Sequence, residues 1–106
     1  MKVLFDQGTP VPLRRHLRLH QVTTVYELAW ATLQNGDLIS QAEAAGLEVL
    51  VTTDQNLRYQ QNLGGRRLAV VVLLSTSWPK IQAKAAEVAI AVDRAAPGSY
   101  SEVELL

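Results

Sequence analysis

Three aspartates, Asp6, Asp37 and Asp54, stand where carboxylates can do chemistry rather than solvate a surface. Asp6 closes the short apolar run from Lys2 to Phe5 and is followed by Gln7 and Gly8. Asp54 follows the run Glu48 to Thr52, and Asp37 opens the amphipathic segment before that run. If the two runs are strands of one parallel sheet, all three acids reach the same edge. Ligands of such sheets bind beyond the carboxyl ends of the strands, near the point where strand order reverses. Carboxylates gathered there repel one another unless a cation lies among them. Oxygen donors of this kind, with amide carbonyls and water, suit Mg²⁺ or Mn²⁺. Such an ion lowers the pKa of bound water and offsets charge on a phosphodiester, so hydrolytic phosphoryl chemistry is the expectation. Each acid also has a plain structural reading. Asp6 suits the start of a turn, and Asp54 suits a helix N-cap. Asp37 in a first helical turn gains about 0.3–1 kcal/mol from the helix dipole.

The elements that must position these acids follow from pattern. Lys2 to Phe5 reads as a strand, broken by Gly8-Thr9-Pro10. Pro12 opens a short amphipathic helix to about Leu19, and the β-branched residues from Val22 to Val25 make Gln21 to Tyr26 a second strand. Tyr26 to Leu33 reads as a short helix, Asn35-Gly36 as a turn, and Asp37 to Ala45 as a helix with Gly46 at its C-terminal cap. Glu48 to Thr52 and Leu68 to Leu74 carry no polar alternation, as strands buried on both faces do. Between them, Thr53 to Gly65 reads as loop with one helical turn near Leu57. Ser75-Thr76-Ser77 is expected to cap a helix from Trp78 to about Arg94, ended by Pro97-Gly98, with a last edge strand in Ser99 to Leu105. Strands alternating with helices argue for one α/β domain over residues 1–106: a three-layer α/β/α sandwich around a mainly parallel central sheet.

Composition narrows the class. The 106 residues include no cysteine, which excludes a disulfide scaffold, a thiolate metal centre and a cysteine nucleophile. A reducing, cytoplasmic setting is therefore expected. The longest apolar run is far short of the roughly 20 residues that span a bilayer, and Asp6 comes too early for a signal peptide. Ten basic residues balance ten acidic ones, so broad polyanion binding is not expected. The charges are nevertheless segregated. No Lys or Arg lies between Leu19 and Leu57, and no Asp or Glu lies between Gln55 and Ala86. This patterning suits an acidic site rimmed by basic groups.

Other motifs are weaker. His16 and His20 have metal-ligand spacing on a helix, but no HExxH glutamate lies between them. Gly64-Gly65 precedes Arg66-Arg67 without the Lys-Ser/Thr end of a phosphate loop, and reads as a turn. Ser75 to Ser77 lack the glycines of a nucleophile elbow. Trp30, Trp78 and Tyr59 have the chemistry to stack on bases, Trp30 reading more naturally as core. A phosphoacceptor receiver domain also places Asp after its first and third strands. It wants an acidic pair after the first and a lysine after the last, whereas Gln7 breaks the pair and Lys80 follows Pro79 inside an expected helix.

The chain resembles the short PIN-like proteins, the Mut7-C-like branch of the PIN nuclease superfamily. The resemblance rests on Leu4-Phe5-Asp6-Gln7-Gly8-Thr9-Pro10, on Asp37-Leu38-Ile39 followed by Ala42, Ala44 and Ala45, and on Val49-Leu50-Val51-Thr52-Thr53-Asp54-Gln55-Asn56. The run Val70 to Leu74 and Trp78 complete it, so it covers nearly the whole chain. It implies a PIN-like fold and an endoribonuclease dependent on Mg²⁺ or Mn²⁺, with Asp6, Asp37 and Asp54 as metal-binding acids and Thr52 as the hydroxyl beside the third. It also implies an RNA substrate, an antitoxin protein as partner and a homodimer. Arg14, Arg15 and Arg58, with Arg66 or Arg67, are the expected grips on the RNA backbone. Two positions depart from the pattern. Gln7 stands where the branch commonly has Glu, and Asn56 where it commonly has Asp. Each keeps a carbonyl oxygen and removes a negative charge. The alternative reading is therefore a catalytically quiet binding or regulatory module on the same fold.

Overall fold

The two strands without polar alternation are the centre of the molecule. The computed structural model describes residues 1–60 and 62–105. In it Val49–Thr52 (β3) and Ala69–Leu73 (β4) are buried at every position. Lys2–Phe5 (β1) pairs with the other side of β3. Gln21–Thr24 (β2) pairs with β1, and Tyr100–Val103 (β5) pairs with β4. All four pairings are parallel, and the order across the sheet is β2-β1-β3-β4-β5.

Side chains on successive strand residues point to opposite faces, so the sheet divides the core in two. Val3, Phe5, Val49, Val51, Ala69, Val71 and Leu73 meet Leu13 and Leu17 from the 3-10 helix Val11–His16 and its exit. On the same face lie Ile81 from Trp78–Ala83 (α3) and Ala85, Val88 and Val92 from Ala85–Asp93 (α4). Leu4, Leu50, Val70 and Val72 meet Leu38, Ile39 and Ala42 of Asn35–Ala44 (α1) and Leu57 of Leu57–Gln60 (α2) on the other face. Helices thus cover both faces of a parallel sheet, the α/β/α sandwich expected from the sequence.

Local details differ from the sequence reading. Tyr26 to Leu33 is a chain of turns, not a helix. Ala29 adopts a positive φ of 59°, and the amide of Trp30 reaches back five residues to the carbonyl of Val25 (2.8 Å), which closes the turn before a helix can propagate. The first helix is a 3-10 segment of six residues, ending at His16 rather than Leu19. Pro10 and Pro12 remove two amide donors at its start, and Leu13 and Leu17 bond three residues back. Asn35 and Gly36 form the first turn of α1 instead of preceding it. Gly46, with φ of 78°, takes the expected C-terminal role. Its amide bonds Glu43, and the amide of Leu47 bonds Ala42, the paired closure of a Schellman motif. The long last helix is divided at Lys84, where the amide bonds to Ile81 three residues back and the turn tightens. Ser77 stands at the N-cap of α3 but makes no side-chain cap bond; the Ser75 hydroxyl accepts from the Ser77 amide instead (3.0 Å). Gln61, within the expected loop from Thr53 to Gly65, lies outside the described residues.

Candidate functional site

The chain runs outward from β1 to β2 and then returns to the other side of β1 to lay down β3. The carboxyl ends of β1 and β3 therefore flank the switch point, where doubly wound sheets open a crevice. Asp6 leaves β1 here and Asp54 stands two residues beyond β3.

A fully buried hydroxyl joins the two acids. Thr52 Oγ1 donates to Asp6 Oδ2 (2.8 Å) and accepts from the Asp54 amide (3.1 Å). The remaining carboxylate oxygens are also engaged. Asp6 Oδ1 accepts from the Gln7 amide (2.7 Å), Asp54 Oδ1 from the Asn56 amide (3.0 Å), and Asp54 Oδ2 from Asn35 Nδ2 (3.2 Å). Backbone bonds hold the frame. The Asp6 amide donates to the Val51 carbonyl (3.0 Å), which also accepts from the buried Thr9 hydroxyl (2.8 Å), while the Thr9 amide donates to Asp6 O (3.0 Å). Gly8 closes this loop against β3's exit, where a Cβ would overlap Thr53 Oγ1.

Asp37 is exposed in the first turn of α1, two residues after the Asn35 that bonds Asp54. Its turn therefore reaches the same edge. The three carboxylates do not form one cluster, however: among the described residues no group of three or more His, Cys, Asp or Glu could hold a metal ion. What the fold builds is a two-carboxylate site with amide side chains around it. A carboxylate oxygen has two acceptor positions, and among the described residues one donor meets each of these four oxygens. Mg²⁺ is commonly held through one or two carboxylates together with water and substrate phosphate. The pair Asp6 and Asp54 fits that donor set, and the exposed Gln7 and Asn56 that follow them carry neutral amide side chains.

The arginines are divided between the two ends of the sheet. Arg14 and Arg15 lie on the 3-10 helix that follows β1. Arg14 pairs with Glu27, which also accepts from the Thr24 amide at the end of β2 (2.9 Å). The Thr24 amide and then the Arg14 guanidinium hold the Glu27 carboxyl below its ordinary value. Arg58 is on α2, directly after the Asp54 loop. Arg66 and Arg67 precede β4 and so belong to the opposite edge, a correction to their expected place at the acidic site. There Glu43 accepts from Arg66 Nη1 (3.0 Å) and from the Arg67 and Leu68 amides (2.6 and 3.2 Å). Burial pushes the Glu43 carboxyl up, but these three donors outweigh it and hold it below its ordinary value. A cavity of about 320 Å³ opens at this far edge, lined by Met1, Leu47, Glu48, Arg67 and Pro97 among others, remote from Asp6 and Asp54 in the topology.

His16 and His20 do not converge. The ring of His16 lies 6.2 Å from that of Trp78, while His20 bonds the terminal amine (3.0 Å) and Asp93. Trp30 is half-buried against the α1-side core, in keeping with its reading as a core residue. The sequence puts Gly8 and Thr53 at this edge without a role, and gives no role in the site to Asn35 or Thr9. Asn35-Gly36 ahead of an acid-bearing helix was the available signal, but it reads equally well as a turn.

Among the described residues no helix is long and apolar enough to cross a membrane. In comparisons with known proteins, no family model, no curated protein and no solved structure matches the chain.

Proposed function

We propose that the edge of β1 and β3 is a divalent-cation site acting on RNA phosphodiesters, in a PIN-like endoribonuclease. The observation that carries this reading is the hydroxyl-linked pair Asp6–Thr52–Asp54 at the switch point of the sheet. Asp6 and Asp54 would hold Mg²⁺ or Mn²⁺, and Asp37 on the neighbouring turn adds negative charge from further out. When bound, such an ion supplies an acidified water and a counter-charge for the phosphodiester. The chain's own part is positioning. Thr52 fixes the Asp6 carboxylate and the Asp54 backbone together, Asn35 and the Asn56 amide orient the Asp54 carboxylate, and Arg14, Arg15 and Arg58 supply cations for the RNA backbone. The PIN-like reading brings with it an antitoxin protein, a homodimer and a cytoplasmic setting, which rest on the resemblance and on the lack of cysteine.

The test is cleavage of single-stranded RNA with Mn²⁺ by the unaltered chain and by Asp6→Asn. Cleavage that needs Mn²⁺ and disappears in Asp6→Asn is expected; equal cleavage by both would refute the assignment. A quiet binding module is the second reading. The neutral Gln7 and Asn56, and the separation of Asp37 from the acid pair, favour it. Calorimetry separates the two, since a quiet module shows no saturable Mn²⁺ heat that Asp54→Asn removes.

A further inference from the structure

The segment just past the acid pair carries a feature that packing does not explain. Tyr59 is 72% exposed, yet its ring is not free to wander. Arg58 Nη2 donates to the Tyr59 hydroxyl (2.7 Å), and the Arg58 guanidinium lies 4.8 Å from the Tyr59 ring centroid. The same guanidinium lies 5.4 Å from the Tyr100 ring and 4.0 Å from Glu102, and Tyr100 donates to Glu102 (3.1 Å). Arg58 is thereby held from behind by β5 and in turn holds Tyr59. The Tyr59 amide donates to the Asn56 carbonyl (3.0 Å), and the Asn56 amide donates to Asp54, so the platform and the acid share one short piece of chain.

We propose that Arg58 and Tyr59 form a stacking platform for one base of a single-stranded RNA whose backbone passes the Asp6–Asp54 edge; this rests on the phosphodiester reading above. An aromatic ring fixed against a cation, with much of its surface open to water, has already lost the freedom that binding would otherwise cost. Every base offers a π-face, so such a platform takes bases with little regard to sequence. The guanidinium beside it adds a cation–π contribution and attraction for the neighbouring phosphate. Tyr100 and Glu102 are positioning residues, acting through Arg58.

The experiment uses a fluorescein-labelled single-stranded octaribonucleotide and the Asp6→Asn chain, so that cleavage does not consume the probe. Tyr59→Ala in that background is expected to weaken binding about tenfold, as loss of one stacked base does. Tyr59→Phe, which keeps the ring but loses the hydroxyl that Arg58 holds, is expected to bind between the parent and Tyr59→Ala. An oligomer of the same backbone without bases should bind the parent and the Tyr59→Ala chain alike. Equal binding of the normal oligomer by Tyr59→Ala and its parent overturns the platform, and so does absence of binding by the parent. Failure of the nuclease reading shows separately, as absence of Mn²⁺-dependent cleavage by the unaltered chain.

Discussion

Thr52→Val tests the central contact directly. The change is nearly isosteric and replaces a fully buried hydroxyl by a methyl group. It removes the donor to Asp6 Oδ2 and the acceptor of the Asp54 amide. A hydrogen bond to a charged group contributes about 1.5 kcal/mol or more, and a stranded amide costs about 1 kcal/mol. The added buried methyl returns up to about 0.8 kcal/mol. The net loss is about 1.5 kcal/mol, or about 6–12 °C in melting temperature for a domain of this size. Thr52→Ser is the necessary comparison, because it loses the methyl at about 0.8 kcal/mol and keeps the hydroxyl. Urea unfolding of both, alone and combined with Asp6→Ala, gives two double-mutant cycles. The Val cycle should show a coupling of about 1 kcal/mol between positions 52 and 6, within the range found for contacting residues, and the Ser cycle almost none. If the two cycles agree, the hydroxyl does not join the acids and the edge holds no built site.

Three further outcomes follow from other contacts. Gly8→Ala should lower Mn²⁺-dependent cleavage, because its Cβ meets Thr53 Oγ1 and must shift either Thr53 or the Asp6 loop; adding Thr53→Ala should restore much of the rate, which steady-state kinetics would show. Glu43→Gln should cost about 1–2 kcal/mol in urea unfolding at pH 7, given three donors on a carboxylate only 15% exposed. The folded Glu43 carboxyl is held below its ordinary value of 4.5, so that margin is present above 4.5 and disappears as pH falls through the lower folded value, a convergence with the Gln variant visible in pH-dependent melts. Arg15→Gln should weaken RNA binding and reduce its salt slope by about one, while Arg67→Gln should leave both unchanged, since Arg67 lies at the opposite edge.

The parts of the fold legible in sequence are those governed by burial. The unbroken apolar runs of β3 and β4 have one good solution, a strand covered on both faces, and Asp6 and Asp54 follow from it because residues leaving parallel strands share an edge. What sequence could not show depended on tertiary contacts. The run from Tyr26 to Leu33 is apolar enough for a helix, but its half-buried residues Leu28, Trp30, Ala31 and Leu33 pack on the α1-side core from a set of turns, and the backbone hydrogen bonds of Ala29 and Trp30 decide that. Asn35-Gly36 has the composition of a turn, yet it starts α1 with the Asn35 amide directed at Asp54. The place of Asp37 relative to the acid pair depends on how α1 lies across β3, a rigid-body quantity that no local pattern encodes.

Charge segregation along the chain is a poor guide to charge around the site, for a topological reason. In a parallel sheet each connection begins at one edge and ends at the other, so residues close in sequence can serve opposite ends. Arg58 leaves β3 and belongs with the acids, whereas Arg66 and Arg67, within ten residues, lead into β4 and are drawn to Glu43. The basic stretch after Gln55 therefore splits into a cation on the helix after Asp54, held against Tyr59 and Tyr100, and a pair of arginines at the far edge, of which Arg66 is in an ion pair. The cations that leave from the acids' edge are therefore those of the 3-10 helix after β1, of α2 after β3 and of α3 after β4, which carries the exposed Lys80. Arg14 is paired to Glu27 and Arg58 lies against Glu102 and Tyr59, whereas Arg15 is exposed on the 3-10 helix after β1.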